Sequence, residues 1–338
     1  MSSNVTLKEI AEALGVSAMT VSRALNNHTN VDEKTRRRIL DMSTKMGYTP
    51  NHVAKSLVSR KTNTIGVVIP EISHVFFAQV VSGIESVTYK TDYQLILTNS
   101  AEDYEREKKA IQTLRSKRID GLLVSSAETT VDYKHYEEVI NSGIPIVFFD
   151  RWTNMDFVSN VSVDDMEGAR NITLHMIDHG YDRIACFHGP DISIGKERLE
   201  GFMHAMRERD VSIDEKLIVK SGFLEAGGYR AMDQILSMPK EQWPRAIITV
   251  NDPVAIGALE RIEEAGLSVP DDIAIAGFSD DLRAGLLKCP LTTVRQPSVE
   301  IGVEAAKKLI KILQNPEEKP EHIQLKTELI IRKSCGCN

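Results

Sequence analysis

The sequence is short of the features that mark several classes of protein. Four cysteines, Cys186, Cys289, Cys335 and Cys337, in 338 residues are too few and too scattered for a disulfide framework, and they read as reduced thiols. Cys335-Gly-Cys337 brings two thiols together, but no partner pair stands at zinc-finger spacing, so no metal site is expected. No run approaches 18 apolar residues, and the N-terminus lacks a basic-then-apolar signal pattern. A cytoplasmic protein with no membrane partner is expected. G-x-G-x-x-G after a strand, the P-loop, G-x-S-x-G and H-E-x-x-H are all missing, so neither an enzyme nor a cofactor is expected. Net positive charge is missing too: the balance is -7. It divides unevenly, because residues 1–61 hold ten Lys/Arg against five Asp/Glu, leaving 31 against 43 for the remainder. A small basic head on an acidic body suits a nucleic-acid partner.

What is present begins with Thr6 to Asn26, TLKEIAEALGVSAMTVSRALN. Leu7, Ile10, Ala11 and Leu14 recur at helical spacing. Thr6 caps that helix and Glu9 completes a capping box. Gly15 supplies the turn, and Ser17 caps a second helix, Ala18 to Asn26. Val21 and Leu25 turn inward, leaving Ala18, Met19, Ser22, Arg23 and Asn26 on the outer face. The pattern is helix-turn-helix, against the plainer reading of a helical hairpin. A third helix is expected over Val31 to Met46, with Asp32 as cap and Gly47 as stop. Arg36, Arg37 and Arg38 crowd its first half, either as a solvated face or as phosphate contacts. Pro50 and Asn51 then open a two-turn amphipathic segment, His52 to Ser59, with Val53, Ala54, Leu57 and Val58 on one side. A helix this short is not stable alone in water and is expected to fold on docking.

From Thr64 short apolar runs (IGVVIP, YQLILTNS, GLLVSS, IPIVFFD) alternate with helical stretches, and a second series follows: RIACFHGP, LIVKSGF, AIITVND, DIAIAGFSD. Buried parallel strands with crossover helices give this pattern. Two series imply two α/β lobes with a ligand cleft beyond the strand C-termini.

TVSRALN, GYTPNHVAKSL and the two-lobed body resemble the LacI/GalR family of transcriptional regulators over essentially the whole chain. The resemblance implies a helix-turn-helix domain at 1–50, a hinge helix and linker at 51–63, and a ligand-binding and dimerisation domain at 64–338. The last would have the periplasmic-binding-protein type I fold, its first lobe near 64–164 and 295–324, its second near 165–294 and 325–338. It implies a homodimer on a pseudo-palindromic operator, contacted by Thr6, Ser17, Ala18, Met19, Thr20, Ser22, Arg23 and Asn26, with Arg23 able to read guanine. Asn51, Val53 and Ala54 would contact the minor groove, where Leu57 would wedge between base pairs. No leucine heptad follows Arg332, so no tetramerising coiled coil is expected.

Charged, amide and aromatic residues stand where the strands end and suit a small-molecule effector: Phe76, Phe77, Asp150, Arg151, Arg198, Phe223, Asn251, Asp252, Ser279 and Asp280. The plainer readings are core packing for Phe76 and Phe77 and helix capping for Asp252 and Asp280. Family members commonly carry Asp at the place of Ser279. The arginine and threonine of purine-binding relatives are Ile192 and Ile194 here. With Trp152 as an added stacking surface, this favours a carbohydrate effector over a nucleobase or nucleoside. A solute-binding protein serving transport is the alternative from another class, disfavoured by the helix-turn-helix.

Overall fold

The computed structural model describes residues 5–48 and 61–337. The chain divides into two compact units, Met1–Thr62 and Asn63–Asn338. The expected minor-groove residues Asn51, Val53, Ala54 and Leu57 lie outside the described residues.

In the first unit α1 (Leu7–Leu14), α2 (Ala18–Leu25) and α3 (Glu33–Met46) surround Ile10, Val21, Ala24 and Ile39, all buried. Each helix starts on a side-chain cap. Thr6 accepts from the Glu9 amide while Glu9 reaches back to the Thr6 amide, and Ser17 and Asp32 accept from the Thr20 and Thr35 amides. Gly15 and Gly47 end α1 and α3 at φ 66°, the left-handed conformation that a side chain disfavours. Two details differ from the sequence reading. Ala24 joins Val21 as a fully buried residue of α2, and Leu25 packs half-buried against the same core. With Asp32 as cap, α3 starts at Glu33, and Val31 packs into the core from outside the helix.

The second unit holds two parallel sheets. The first takes β1 (Thr64–Ile69), β2 (Gln94–Asn99), β3 (Gly121–Val124), β4 (Ile146–Phe149), β5 (Ser159–Val163) and β11 (His322–Leu325), in the order β11-β5-β4-β3-β1-β2. The second takes β6 (Ile184–His188), β7 (Ile218–Lys220), β8 (Ala246–Thr249) and β9 (Ala274–Ala276), in the order β7-β6-β8-β9. All neighbours in both are parallel. Parallel strands are covered on both faces, and those of β3, β4 and β5 are buried throughout.

Helices α4 (Val75–Thr88), α5 (Tyr104–Ser116), α6 (Lys134–Asn141) and α11 (Ser298–Gln314) join the first sheet; α7 (Asp165–Asp178), α8 (Ser193–Glu208), α9 (Glu225–Leu236) and α10 (Asp252–Glu264) join the second. The chain leaves the first sheet after β5 and returns through α11 to β11. A two-stranded antiparallel pair, β10 (Thr293–Arg295) with β12 (Glu328–Ile330), accompanies the remaining passages. Helix α11 lies so close to α4 that a side-chain carbon on Gly83 would stand 2.1 Å from the Val299 carbonyl. Strands β5, β10, β11 and β12 are absent from the sequence reading. SNVSV and HIQL are half polar, and the other two are three residues long.

Candidate functional site

The outer face of α2 carries the expected base-contacting side chains. Met19 is 62% exposed; Ala18, Arg23 and Asn26 are exposed, and Thr20 and Ser22 half-buried. Several polar groups already have partners. Ser17 Oγ caps α2 and shares a 2.8 Å bond with Thr20 Oγ1, and Asn26 Nδ2 donates to the Ser22 carbonyl at 2.8 Å. The three consecutive arginines separate in role. Arg36 is tied to Asn27 Oδ1 and to the His28 carbonyl at 2.5 Å, so it braces the α2–α3 loop rather than standing ready for phosphate. Arg37 pairs loosely with Glu33 at 3.4 Å. Arg38 is exposed.

In the second unit the C-terminal ends of β1, β4, β7, β8 and β9 converge on a recess of about 560 Å³, its open mouth included. His74, Phe76, Phe77, Gln79, Asp150 and Arg151 line it from the first sheet; Ile194, Arg198, Phe223, Asn251, Ser279, Asp280 and Asp281 line it from the second, with Gln296 on the passage between them. The left-handed backbone of Asp150, Ser279 and Asp280 (φ 62°, 117° and 56°) places strained positions at the recess, where ligand sites commonly hold them.

Both arginines are held rigidly. Arg198 donates to Asp165 Oδ1 at 2.7 Å and to the Val250 carbonyl at 2.6 Å, and stacks on the Phe278 ring at 3.7 Å. Burial pushes the Asp165 carboxyl up to about 7, against the pull of Arg198. Arg151 forks onto both oxygens of Glu102, at 2.7 and 2.6 Å, and onto the Ser126 carbonyl at 2.6 Å. Burial alone would raise Glu102, but the charge and hydrogen bonds of Arg151 outweigh it and hold that carboxylate below its ordinary range. Among the described residues Arg151 Nε makes no hydrogen bond, and it stands 3.8 Å from Asp150 Oδ2. Burial raises Asp150 as well, opposed by Arg151. It also lowers His74, whose Nε2 is buried without a partner.

Of the expected effector residues, all but Asp252 line this recess. Asp252 is fully buried beneath it, accepting from Thr293 Oγ1 at 2.6 Å and the Asp281 amide at 2.7 Å. As the first residue of α10, its side chain turns back under the strand-end loops, and the cap of that helix is Asn251. Asn251 Nδ2 donates to the Phe223 carbonyl at 2.9 Å, so its amide is spent on the scaffold. Asp280 caps nothing; it bridges Arg295 and Arg332 at 2.8 and 2.7 Å. Phe223 lies past the end of β7 rather than in it. Trp152 departs furthest from expectation. It lines a separate groove and donates from Nε1 to Glu197 at 3.1 Å, so it adds no stacking surface to the recess. His74, Asp281 and Gln296 line the recess as well: His74 and Asp281 stand within two residues of the expected Phe76 and Asp280 and share their strand-end loops, while Gln296 follows β10, a three-residue strand with no apolar run to mark it.

The chain matches the model of bacterial regulatory proteins, lacI family, over residues 6–51 and that of the periplasmic binding protein-like domain over 173–335. It is 32% identical over 330 residues to HTH-type transcriptional repressor PurR of Vibrio parahaemolyticus serotype O3:K6, covering 97% of this chain and 98% of that protein. A structure of the transcriptional regulator CelR–cellobiose complex is similar with a TM-score of 0.75 and 28% identity, over 98% of this chain and 100% of that one. The lac repressor dimer bound to operator and the anti-inducer ONPF is similar with a TM-score of 0.85 and 26% identity, over 98% and 99%. With a capped helix-turn-helix head and a two-sheet body, the chain belongs to the lacI family of DNA-binding bacterial transcriptional regulators.

Proposed function

We propose that a small carbohydrate occupies the recess between the two sheets and thereby controls how tightly a homodimer of this regulator holds a pseudo-palindromic operator. The observation that carries the reading is the lining itself. Among the described residues Arg151 Nε and His74 Nε2 are polar atoms without hydrogen-bond partners, set beside the rings of Phe76 and Phe223. Buried polar groups are rarely left unpaired. Fixed donors and acceptors beside aromatic faces match a ring with hydroxyls around its edge and an apolar face. Ile194, buried against the recess, offers no hydrogen bond to a heterocycle edge. The cellobiose held by the CelR structure supports the same class of ligand.

Because the recess draws its walls from both sheets, a ligand there favours one arrangement of the lobes. On the DNA side, Arg23 would read a base edge, with Thr6, Ser17, Ala18, Met19, Thr20, Ser22 and Asn26 around it, and Leu57 would wedge the minor groove. The operator-bound dimer of the lac repressor supports the homodimer. The bound carbohydrate is a signal and leaves the recess chemically unchanged.

Thermal unfolding of the purified protein across mono- and disaccharides, sugar phosphates, nucleobases and nucleosides tests this. A ligand that binds only the folded state raises the melting temperature by mass action. A rise with a carbohydrate, and a shifted operator gel with the same compound, are expected. A rise confined to nucleobases or nucleosides overturns the carbohydrate reading, and conversion of the compound overturns the regulator-only reading of the site.

A further inference from the structure

Away from the recess, the chain's end folds back onto α7 and brings together four metal-ligating side chains. Cys335 Sγ and Cys337 Sγ stand 3.0 Å apart, too far for a disulfide bond of about 2.05 Å. Cys337 Sγ lies 3.6 Å from His175 Nε2 and 2.7 Å from His179 Nε2. The ligating atoms of His175, Cys335 and Cys337 all fall within 4.8 Å of one another. In the sequence the Cys-Gly-Cys pair has no partner at finger spacing; the fold supplies one from a helix 158 residues upstream.

We propose that His175, His179, Cys335 and Cys337 form a structural zinc site. Two thiolates and two imidazoles are a preferred tetrahedral donor set for this ion. With Zn–S of about 2.3 Å and Zn–N of about 2.0 Å, tetrahedral donors stand roughly 3.3–3.8 Å apart, and the separations of Cys337 Sγ from Cys335 Sγ, His175 Nε2 and His179 Nε2 each lie within an ångström of that range. The local structure favours this use. His175 and His179 are one helical turn apart, so their rings share a face, with centroids 4.5 Å apart. His179 Nδ1 is 3.1 Å from the His175 carbonyl. A proton donated there leaves the Nε2 lone pair facing the thiols, and a ligating histidine usually gives its other ring N–H to a carbonyl in this way. Gly336, at φ 88°, lets the chain turn between the cysteines so that both sulfurs meet the same point. Tyr181 fixes that turn by donating to the Cys335 carbonyl at 3.1 Å. Cys335 is buried while His179 is exposed, giving an inner ligand and an open side for entry. The ion would pin the 3-10 turn Lys333–Cys335 to the C-terminal end of α7.

The test uses the tag-free, full-length protein, reduced and stripped of metal, titrated with Co(II) and then Zn(II). Expected are one cobalt per chain, a thiolate-to-cobalt charge-transfer band, the intense visible bands of tetrahedral cobalt, and their loss as zinc displaces it. Zinc should raise the melting temperature. Cys337→Ser should lower the charge-transfer intensity by half or more, because only the Cys335 thiolate remains. His179→Ala, at an exposed position that the fold does not depend on, should keep a thiolate band but weaken affinity at least tenfold. No thiolate band in the unaltered protein, a band unchanged by Cys337→Ser, or a melting temperature indifferent to zinc would each overturn the site.

Discussion

The guanidinium of Arg151, which follows β4 of the first sheet, lies 4.7 Å over the ring of Phe223, which follows β7 of the second. Arg151 is itself immobilised by Glu102 and Ser126. The contact therefore joins a fixed cation on one lobe to an aromatic face on the other, and Trp152 with Glu197 adds a second tie. Lobe closure is thus recorded in two side-chain pairs that any ligand between the sheets must accommodate.

Phe223→Ala removes the ring from both its partners. A cation–π contact is worth about 0.5–1 kcal/mol when exposed and about 2 kcal/mol when desolvated, so losing the ring's contacts with Arg151 and with the ligand should lower affinity for the effector by about 2- to 30-fold. Calorimetry with the compound identified by the thermal panel measures it. Trp152→Phe, which deletes only the bond to Glu197 in a separate groove, should leave that affinity within about twofold. Equal losses in the two variants would mean that lobe closure, and not contact with the ligand, is what Phe223 supplies.

Arg198 and Asp165 form a buried pair, and breaking one by removing a single partner costs about 3–5 kcal/mol. Arg198→Met is therefore expected to lower stability and to abolish the effect of ligand on operator binding. Arg198→Met with Asp165→Asn should recover most of the stability without recovering the ligand response. Urea unfolding reads the first effect, and gel shifts with and without ligand read the second. A double variant that still releases operator on ligand addition would reduce Arg198 to a purely structural part.

The pH response of Asp252 follows from its burial, which pushes the carboxyl from 3.8 to about 7. The folded state then holds a proton that the unfolded chain releases above pH 4. Stability from this group is present at low pH and falls as pH rises toward 7, at roughly 1.4 kcal/mol per pH unit. Asp252→Asn keeps both hydrogen bonds, with the amide donating to Thr293 and the carbonyl accepting from Asp281, and it has no proton to lose. Its stability relative to the unaltered protein should improve between pH 5 and pH 7, measured by urea unfolding at each pH. Parallel pH curves for the two proteins would refute the assignment.

Much of this was legible in sequence where the signal is local. The capping box of Thr6 and Glu9, the turns at Gly15 and Gly47 and the longer apolar strands depend on residues within a few positions of each other. The recess was partly legible, since in parallel sheets ligands gather beyond strand C-termini and strand ends can be read. Gln296 joins it only through the passage between lobes, which no window of sequence contains, whereas His74 takes the cap position of α4 beside Phe76 and nothing in its own sequence marks it as a lining residue. Asp252 shows the opposite failure: it stands at a strand end, but the first turn of α10 directs it inward. Trp152 follows a recess residue immediately and nevertheless opens onto another groove. Cys335 and Cys337 looked partnerless because their histidines lie at the C-terminal end of α7 and on its cap, and the packing of that end against residues 333–337 is a tertiary event.

The arginines of the head separate contact from scaffold. Arg23 projects from α2 without a hydrogen bond among the described residues, so Arg23→Ala should cost about 1–3 kcal/mol of operator binding and relax preference at one base position. Arg38→Ala should weaken binding to all sequences alike and reduce the salt slope by about one. Arg36→Ala acts differently, because its guanidinium holds Asn27 and the His28 carbonyl and Asn27 sits in a left-handed conformation at φ 59°. Hydrogen exchange in the loop between α2 and α3 should accelerate in Arg36→Ala and stay unchanged in Arg23→Ala and Arg38→Ala. Operator titrations against base-substituted sites at several salt concentrations complete the comparison. If Arg36→Ala lowers the salt slope while leaving the loop protected, it is a phosphate contact, and the bracing role assigned to it fails.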